Sequence, residues 1–493
     1  MSAPIAYSLL KVSLHCQEID FFVISCCVRL EFFFFLLAYF FLLLLISFIF
    51  STRMRNLEDF FLASRRLPAF LVYLSLAASW FGATSTLVSA DEALETGISS
   101  FWIMGAPAVL TVLILAFFLA RPIRRLPIVS LPDLVELRYG RVVRHLAAIL
   151  IIWYMAVLAA SQMVAIGHFL KSFLGISYLT SLALGTIVVL AYSVFGGFFS
   201  VAITDALQFF LLVAGIFGLF FFLSDSSSLN DISLFASELG KDNYFNFFFN
   251  FKKNFLIVLS FTLAWTISPI AWQRIQAART DRSARFGLFA ASGTFFLLYG
   301  IVVFIGMVSL PVFFSQKLEG PLFSEIISSR AGVFLGGILF VAIVAAVMST
   351  MDTAINTGAL SLTRDVYQQI FSSSRGKEIV LVSRLSTLFV GGFAFLVATR
   401  FQSILKTLGL ASEIMAEGLF IPGIAMIFLK KKLPMAGFLS LLMGGGYSLL
   451  RFLCEVKLLS LSWPSWPYSV PYGLGLSLAG FVVGVVIERY RRN

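Results

Sequence analysis

Thirteen apolar stretches separated by short polar or basic connections set the pattern of this chain. They run over roughly 32–51, 69–93, 101–120, 145–171, 177–195, 202–223, 254–273, 285–310, 331–352, 378–399, 402–428, 435–453 and 469–488. A helix of about 20 apolar residues crosses the hydrocarbon core of a bilayer, and each stretch approaches or exceeds that length. The pattern predicts an all-α integral membrane protein with about 13 transmembrane helices. Residues 1–31 depart from it. An apolar patch around Phe21–Val28 follows Lys11, Glu18 and Asp20, and no small-residue cleavage site is clear, so the segment resembles neither a signal peptide nor a full span. We read it as an N-terminal extension of unclear role. The longest polar connection, 224–253, is rich in Asn and Phe and is expected outside, lying on the outer face as a short helix.

Two spans carry interruptions. In the second, Gly82 is followed by Ala83, Thr84, Ser85 and Thr86. Glycine weakens a helix, and hydroxyl side chains offer the backbone alternative bonds. In the seventh, Pro269 follows Ser268 and removes a rung of the ladder. The two spans lie five apart. Broken helices in corresponding positions of two halves are the best sequence pointer to a transporter's midplane site.

Composition agrees with lipid as the solvent. The 493 residues are 59% hydrophobic and 12% charged, with 56 Phe. The net charge of +11 does not indicate nucleic acid, because Lys and Arg gather in short connections between spans. With the first span running outside to inside, 24 of the 36 basic residues fall on the inner side. That orientation puts the N-terminus outside and the C-terminus in the cytoplasm, with 489–493 as a short cytoplasmic tail. Cys16, Cys26, Cys27 and Cys454 have no metal-ligand spacing with the three histidines, so no transition metal is expected. No nucleophile–base pair or phosphate loop is visible either. The chain does not read as an enzyme.

The candidate chemistry is ionic. Ser349 and Thr350 stand side by side late in the ninth span, after Ala345 and Ala346. Two readings are open for them. Small and hydroxylated residues glue membrane helices together, or the hydroxyls join backbone carbonyls in an oxygen-only cage suited to Na+. Asp91, Glu92 and Glu95 end the second span, either drawing cations into an outer vestibule or forming a solvated helix end. Glu413 and Glu417 lie one turn apart in the eleventh span. A carboxylate at membrane depth is a functional candidate, and these two are possible coupling carboxylates. Pairing of Glu413 or Glu417 with Lys406, or exposure to the vestibule, are the structural alternatives.

Two longer stretches then carry a resemblance. YSVFGGFFSVAITDALQ, Tyr192–Gln208, and AAVMSTMDTAINTGALSLTRDVY, Ala345–Tyr367, resemble the two signatures of the sodium:solute symporter family. LEDFFLASRRL, SLPDLVELRYG and WQRIQAARTDRSAR support it in the right order, and the likeness covers nearly everything from residue 32 onward.

The resemblance implies a leucine-transporter-like (LeuT-like) fold of two inverted five-helix repeats. These would span 69–223 and 254–428, flanked by the helix at 32–51 and two more within 435–488. It implies one sodium site, with the carbonyls of Ala78, Phe81 and Ala346 and the hydroxyls of Ser349 and Thr350 as ligands. Asp205 matches a position on the inner exit route, as a transient sodium attractor or an arginine partner. Arg65, at the inner mouth, is the arginine such a pairing suggests. The substrate site would lie between the two breaks, with Trp80, Ser85, Trp102, Trp265 and Ser268 as candidates. Trp80 stands where family members handling proline or sugars have a polar or acidic residue. Phe261 and Ala264 replace the polar groups of sugar carriers, so a hexose is disfavoured.

The function expected is sodium-coupled import of a small organic solute by alternating access across a bacterial plasma membrane. The solute is an amino acid or another small polar metabolite, and the partners are that solute, Na+ and the bilayer. Two alternatives stand beside it. One is a proton-coupled carrier on the same fold using Glu413 or Glu417. The other is a solute sensor that does not transport, although the tail ending at Arg492–Asn493 leaves no output module.

Overall fold

The computed structural model describes residues 32–49, 65, 67–126, 128, 130–224, 228–313, 320–371, 377–429 and 431–492. The expected extension at 1–31 therefore lies outside the described residues. Among those residues the chain is all-helical, as the apolar pattern requires in a solvent that cannot satisfy open backbone groups. The main helices are α1 (Phe32–Ile49), α2 (Ala69–Trp80), α3 (Ser89–Thr96), α4 (Gly105–Ile114), α5 (Leu131–Tyr139), α6 (Arg141–Leu174), α7 (Tyr178–Ser224) and α8 (Leu229–Glu238). They continue as α9 (Phe251–Thr266), α10 (Pro269–Ala277), α11 (Asp281–Val308), α12 (Val333–Leu360), α13 (Lys377–Ala398), α14 (Ile404–Phe428), α15 (Pro434–Glu455) and α16 (Val470–Arg492).

Every one of the thirteen apolar stretches falls on helix, yet by length and apolarity ten helices qualify as spans, or eleven if the bent pair α9–α10 counts as one. The difference has local causes. The second stretch is divided after only 12 residues at Trp80, and the fifth and sixth lie on one continuous 47-residue helix, α7.

Buriedness is graded from centre to rim. In its most apolar window α6 is 83% buried inside the protein and α12 is 78%, whereas α1 and α16 are only 33% buried. α12 lies along α6 and α7, α11 along α2, and α15 along α16. Between α7 and α9, α8 begins with a capping box between Ser228 and Asp231, so a short helix does lie in that connection.

One end of the bundle is tied by charges that the sequence pattern treats as loop residues. Arg144 is only 5% exposed and bonds Asp133 at 2.9 Å and Asp365 at 3.2 Å, with Glu136 as a third partner. Asp365 also accepts from Ser130 and Ser361, joining α5 to the turn that continues α12. Removing one partner of a buried ion cluster costs about 3–5 kcal/mol because the others are left uncompensated. Arg144→Met is expected to lose about that much stability, read as a shift in the midpoint of unfolding of the purified protein by denaturing detergent.

Candidate functional site

The break in the second stretch is sharp. α2 ends at Trp80, and Phe81 takes φ −96° and ψ 68°, outside the helical region. Beyond Gly82 and Ala83 the chain re-enters helix through a wide π-turn, Thr84–Val88. The second break lies at Ile267–Ser268, where α9 and α10 bend by 43°. Pro269 sits at the first position of α10, so the proline starts the second half of the broken helix instead of kinking a continuous one. A parallel bridge joins the entrance of one broken helix to the exit of the other: Leu67 N donates to Ala277 O at 2.9 Å and Arg279 N to Leu67 O at 2.8 Å.

Both breaks free backbone groups inside the protein, and these find partners. Gln162 of α6 accepts the Ala83 N–H at 3.0 Å. The Trp272 indole donates to the Thr266 carbonyl at 2.9 Å. Ser349 of α12 donates to the Ala78 carbonyl at 3.0 Å and lies equally close to Ala346 O, while Thr350 Oγ1 is 3.4 Å from Ala346 O. Four of the five expected ligand residues thus present oxygens to one another, with Ser349 1% and Thr350 6% exposed. Phe81, the fifth, is where α2 stops. Its ring packs on Tyr299 at 4.8 Å. Gly82 follows, and a Cβ there would collide with Thr350 Oγ1 and approach Gln162 Oε1 to 2.8 Å. Only a residue without a side chain lets α2 come this close to α12.

A small cavity of about 30 Å³ opens between the breaks, with Trp80, Thr84, Gln162, Trp265, Ser268 and Thr350 in its wall. That is room for little more than a water, so the helices here are closed around it. Trp80 and Trp265 meet at 5.6 Å, and Trp265 stacks on Phe261 at 5.0 Å. No Asp, Glu, Lys, Arg or His lines the cavity among the described residues. Three of the five substrate candidates, Trp80, Trp265 and Ser268, are brought together. The other two are not. Ser85 turns to the Tyr299 hydroxyl at 2.6 Å, and Trp102 donates to Phe247 O, amid Phe247, Phe248 and Phe251.

Asp205 corrects the pairing with Arg65. It is fully buried and accepts from Ser75 and Ser79, with Arg274 of α10 at 3.6 Å. Arg65 instead donates to Ile128 O at 2.6 Å and Leu126 O at 3.5 Å, satisfying carbonyls after a helix end. Arg274, which charge patterning assigns to an inner loop, is 1% exposed and bonds Ser79 Oγ at 2.7 Å and Thr353 Oγ1 at 3.2 Å. Ser79 also lines the cavity, so one hydroxyl connects the cavity wall to the buried ion pair. The signal for Arg274 was its position as the sixth residue of the half-helix, directly after Trp-Gln; the signal for Gln162 was a lone amide in the apolar run ASQMVAIG.

Asp91 accepts from Leu322 N at 2.7 Å and Glu95 pairs with Lys241 at 3.1 Å. Glu413 does not pair with Lys406, which reaches Glu455 at 2.6 Å; its partner is Arg451 of α15 at 3.6 Å. Neither Glu413 nor Glu417 lines the cavity.

Curated relatives give the chain its context. It is 24% identical over 470 residues to a sodium/proline symporter of Staphylococcus aureus, covering 90% of this chain and 88% of that protein. A sodium/proline symporter of Haemophilus influenzae is 25% identical over 365 residues, 70% of this chain and 72% of its own length. Among solved structures, a substrate-bound, outward-open Na+-coupled sialic acid symporter superposes with a TM-score of 0.76 at 17% identity, covering 92% of this chain and 97% of that one. A nucleobase-cation-symport-1 family transporter in a closed conformation reaches 0.53 at 12% identity, covering 88% and 95%. These likenesses establish the fold, and the profile of the sodium:solute symporter family matches residues 60–445. The chain belongs to the sodium:solute symporter family.

Proposed function

We propose that this protein imports a small zwitterionic solute, an amino or imino acid such as L-proline, together with Na+ across a bacterial plasma membrane. The observation that carries this reading is the meeting of Ser349 with the Ala78 carbonyl where α2 is broken. Carbonyls at the end of a helix carry partial negative charge, and neutral hydroxyls complete an oxygen cage weak enough to release a monovalent ion. Ala78, Phe81, Ala346, Ser349 and Thr350 are the proposed sodium ligands. Asp205, one turn from Ala78 through Ser79, lies on the proposed inward exit, where Arg274 already neutralises it.

The solute site is proposed between the breaks. The first N–H groups of α10, those of Ile270 and Ala271, follow Ser268 and Pro269, and Ser268 and Ile270 line the cavity, a place that favours a carboxylate. Trp80 and Trp265 offer flat apolar faces, which suit a compact ring or aliphatic side chain. With no ionisable Asp, Glu, Lys, Arg or His in the wall, a net-neutral solute fits better than an ion. The sodium/proline symporters among its relatives point the same way. A cavity this small must widen as helices move, so alternating access rocks one helix group against another around the site. The inward sodium gradient supplies the driving force. The excess of Lys and Arg in one set of connections supports an orientation with the C-terminus in the cytoplasm.

In proteoliposomes, uptake of labelled L-proline is expected to require an inward Na+ gradient; if no member of an amino-acid panel is accumulated with sodium, the substrate reading fails. Ser349→Ala and Thr350→Ala should each raise the Na+ concentration for half-maximal uptake at least tenfold, about 1.4 kcal/mol. Unchanged sodium dependence in both would remove them from the site. Gly82→Val is expected to abolish uptake while the protein still inserts and purifies, since its side chain would hold α2 away from Thr350; wild-type transport by this variant would contradict the close approach.

A further inference from the structure

The seam between α14, α15 and α16 holds a charged cluster that the cavity does not use. Arg451 of α15 sits between Glu413 at 3.6 Å and Glu455 at 3.4 Å, and Glu455 also takes Lys406 at 2.6 Å. The hydroxyl of Ser469, at the approach to α16, donates to Glu413. Glu417 lies in the π-turn of α14 and is fully buried, and among the described residues neither of its carboxylate oxygens has a hydrogen-bond partner. Two glycines close on it. A Cβ at Gly473 of α16 would collide with the Glu417 side chain, and one at Gly444 of α15 with its carbonyl.

Counting charges decides the state of the cluster. Three carboxylates, Glu413, Glu417 and Glu455, face two cations, Arg451 and Lys406. Glu413 and Glu455 take both cations, so Glu417 is the carboxyl left over. An ionised carboxylate with no donor is strongly disfavoured in a dry interior, whereas the neutral acid is tolerated. The other polar group near it is the hydroxyl of Tyr447 on α15, which is buried and has no hydrogen-bond partner among the described residues, while Tyr472 on α16 is exposed. From the other helices packed on this turn, α6 brings Leu150 and turns Tyr154 to the cavity, while α9 has titratable groups only at its start, Lys252 and Lys253.

α14 is also a helix of the candidate site. Its Leu408 lines the cavity, and its Ser412 bonds Ser260 of the broken helix α9 at 2.7 Å. A π-turn inside an α-helix often marks a functional position. We propose that Glu417 is a proton-binding site, occupied while α14 is seated on α15 and α16 and emptied when that seam opens to water. The proton then acts on the position of α14, in addition to whichever ion drives transport.

Infrared spectra of the purified full-length protein at neutral pH are expected to contain a protonated-carboxyl stretch that Glu417→Gln removes and Glu413→Gln leaves in place. Spin labels at the exposed positions Leu429 and Tyr490, in a background with the native cysteines replaced, report the distance between the inner ends of α14 and α16. That distance should lengthen from mildly acidic to alkaline pH in the otherwise wild-type protein and stay at its acidic value with Glu417→Gln. A stretch untouched by Glu417→Gln, or a label distance independent of pH, overturns the proposal. Should Glu417→Gln fail to fold, the wild-type measurements still decide: loss of the stretch and lengthening of the distance must follow the same pH course. Neither readout depends on sodium or on the identity of the solute, so its failure leaves the symport reading standing.

Discussion

The structure turns on one constraint: backbone groups set free inside a membrane protein must be satisfied from within. α2 stops at Trp80, in the protein's interior, and its last carbonyls and the next N–H groups cannot turn to water. Gln162 takes the Ala83 N–H and Ser349 meets the Ala78 carbonyl. Each of these partners comes from a different long helix, α6 and α12, which are the most buried spans of the protein. The break therefore fixes its own surroundings: a helix that ends midway demands polar neighbours at one depth, and those neighbours form a site.

The same demand explains the residues that surround Asp205. A carboxylate this deep is stable only with a cation and several donors, and Arg274, Ser75 and Ser79 supply them. Because Arg274 also bonds Thr353, one turn beyond Ser349, the ion pair links α2, α7, α10 and α12. Any motion that separates α10 from α2 must break these bonds or carry them along. The cluster around Arg144 performs a comparable tie between α5 and the end of the α12 segment. Buried charge here ties together helices that are distant in the chain.

Much of this was legible in the chain. Spans follow from apolar length, and the two breaks follow from Gly82 and from Ser268–Pro269, because helix-weakening residues act within a turn or two of themselves. The hydroxyl pair Ser349–Thr350 was visible but ambiguous, since packing and ion binding use the same small polar residues. The resemblance to the symporter family supplied the partner segment, Ala78–Phe81, that local pattern could not. The substrate candidates divided once helix rotation was known. Trp80, Trp265 and Ser268 face one cavity, while Ser85 and Trp102 face Tyr299 and the connection before α9.

By itself, the sequence determined that this is a helical membrane protein, where its helices break, and which family it resembles. Those properties depend on composition and on neighbours in the chain. Tertiary structure alone decided that Asp205 meets Arg274 and not Arg65, that Glu413 meets Arg451 and not Lys406, and that Glu417 is left without a partner. A buried charge takes whichever counter-charge the packing of distant helices delivers to its own depth and side, and residues tens of positions apart in sequence hold no record of that choice in their spacing.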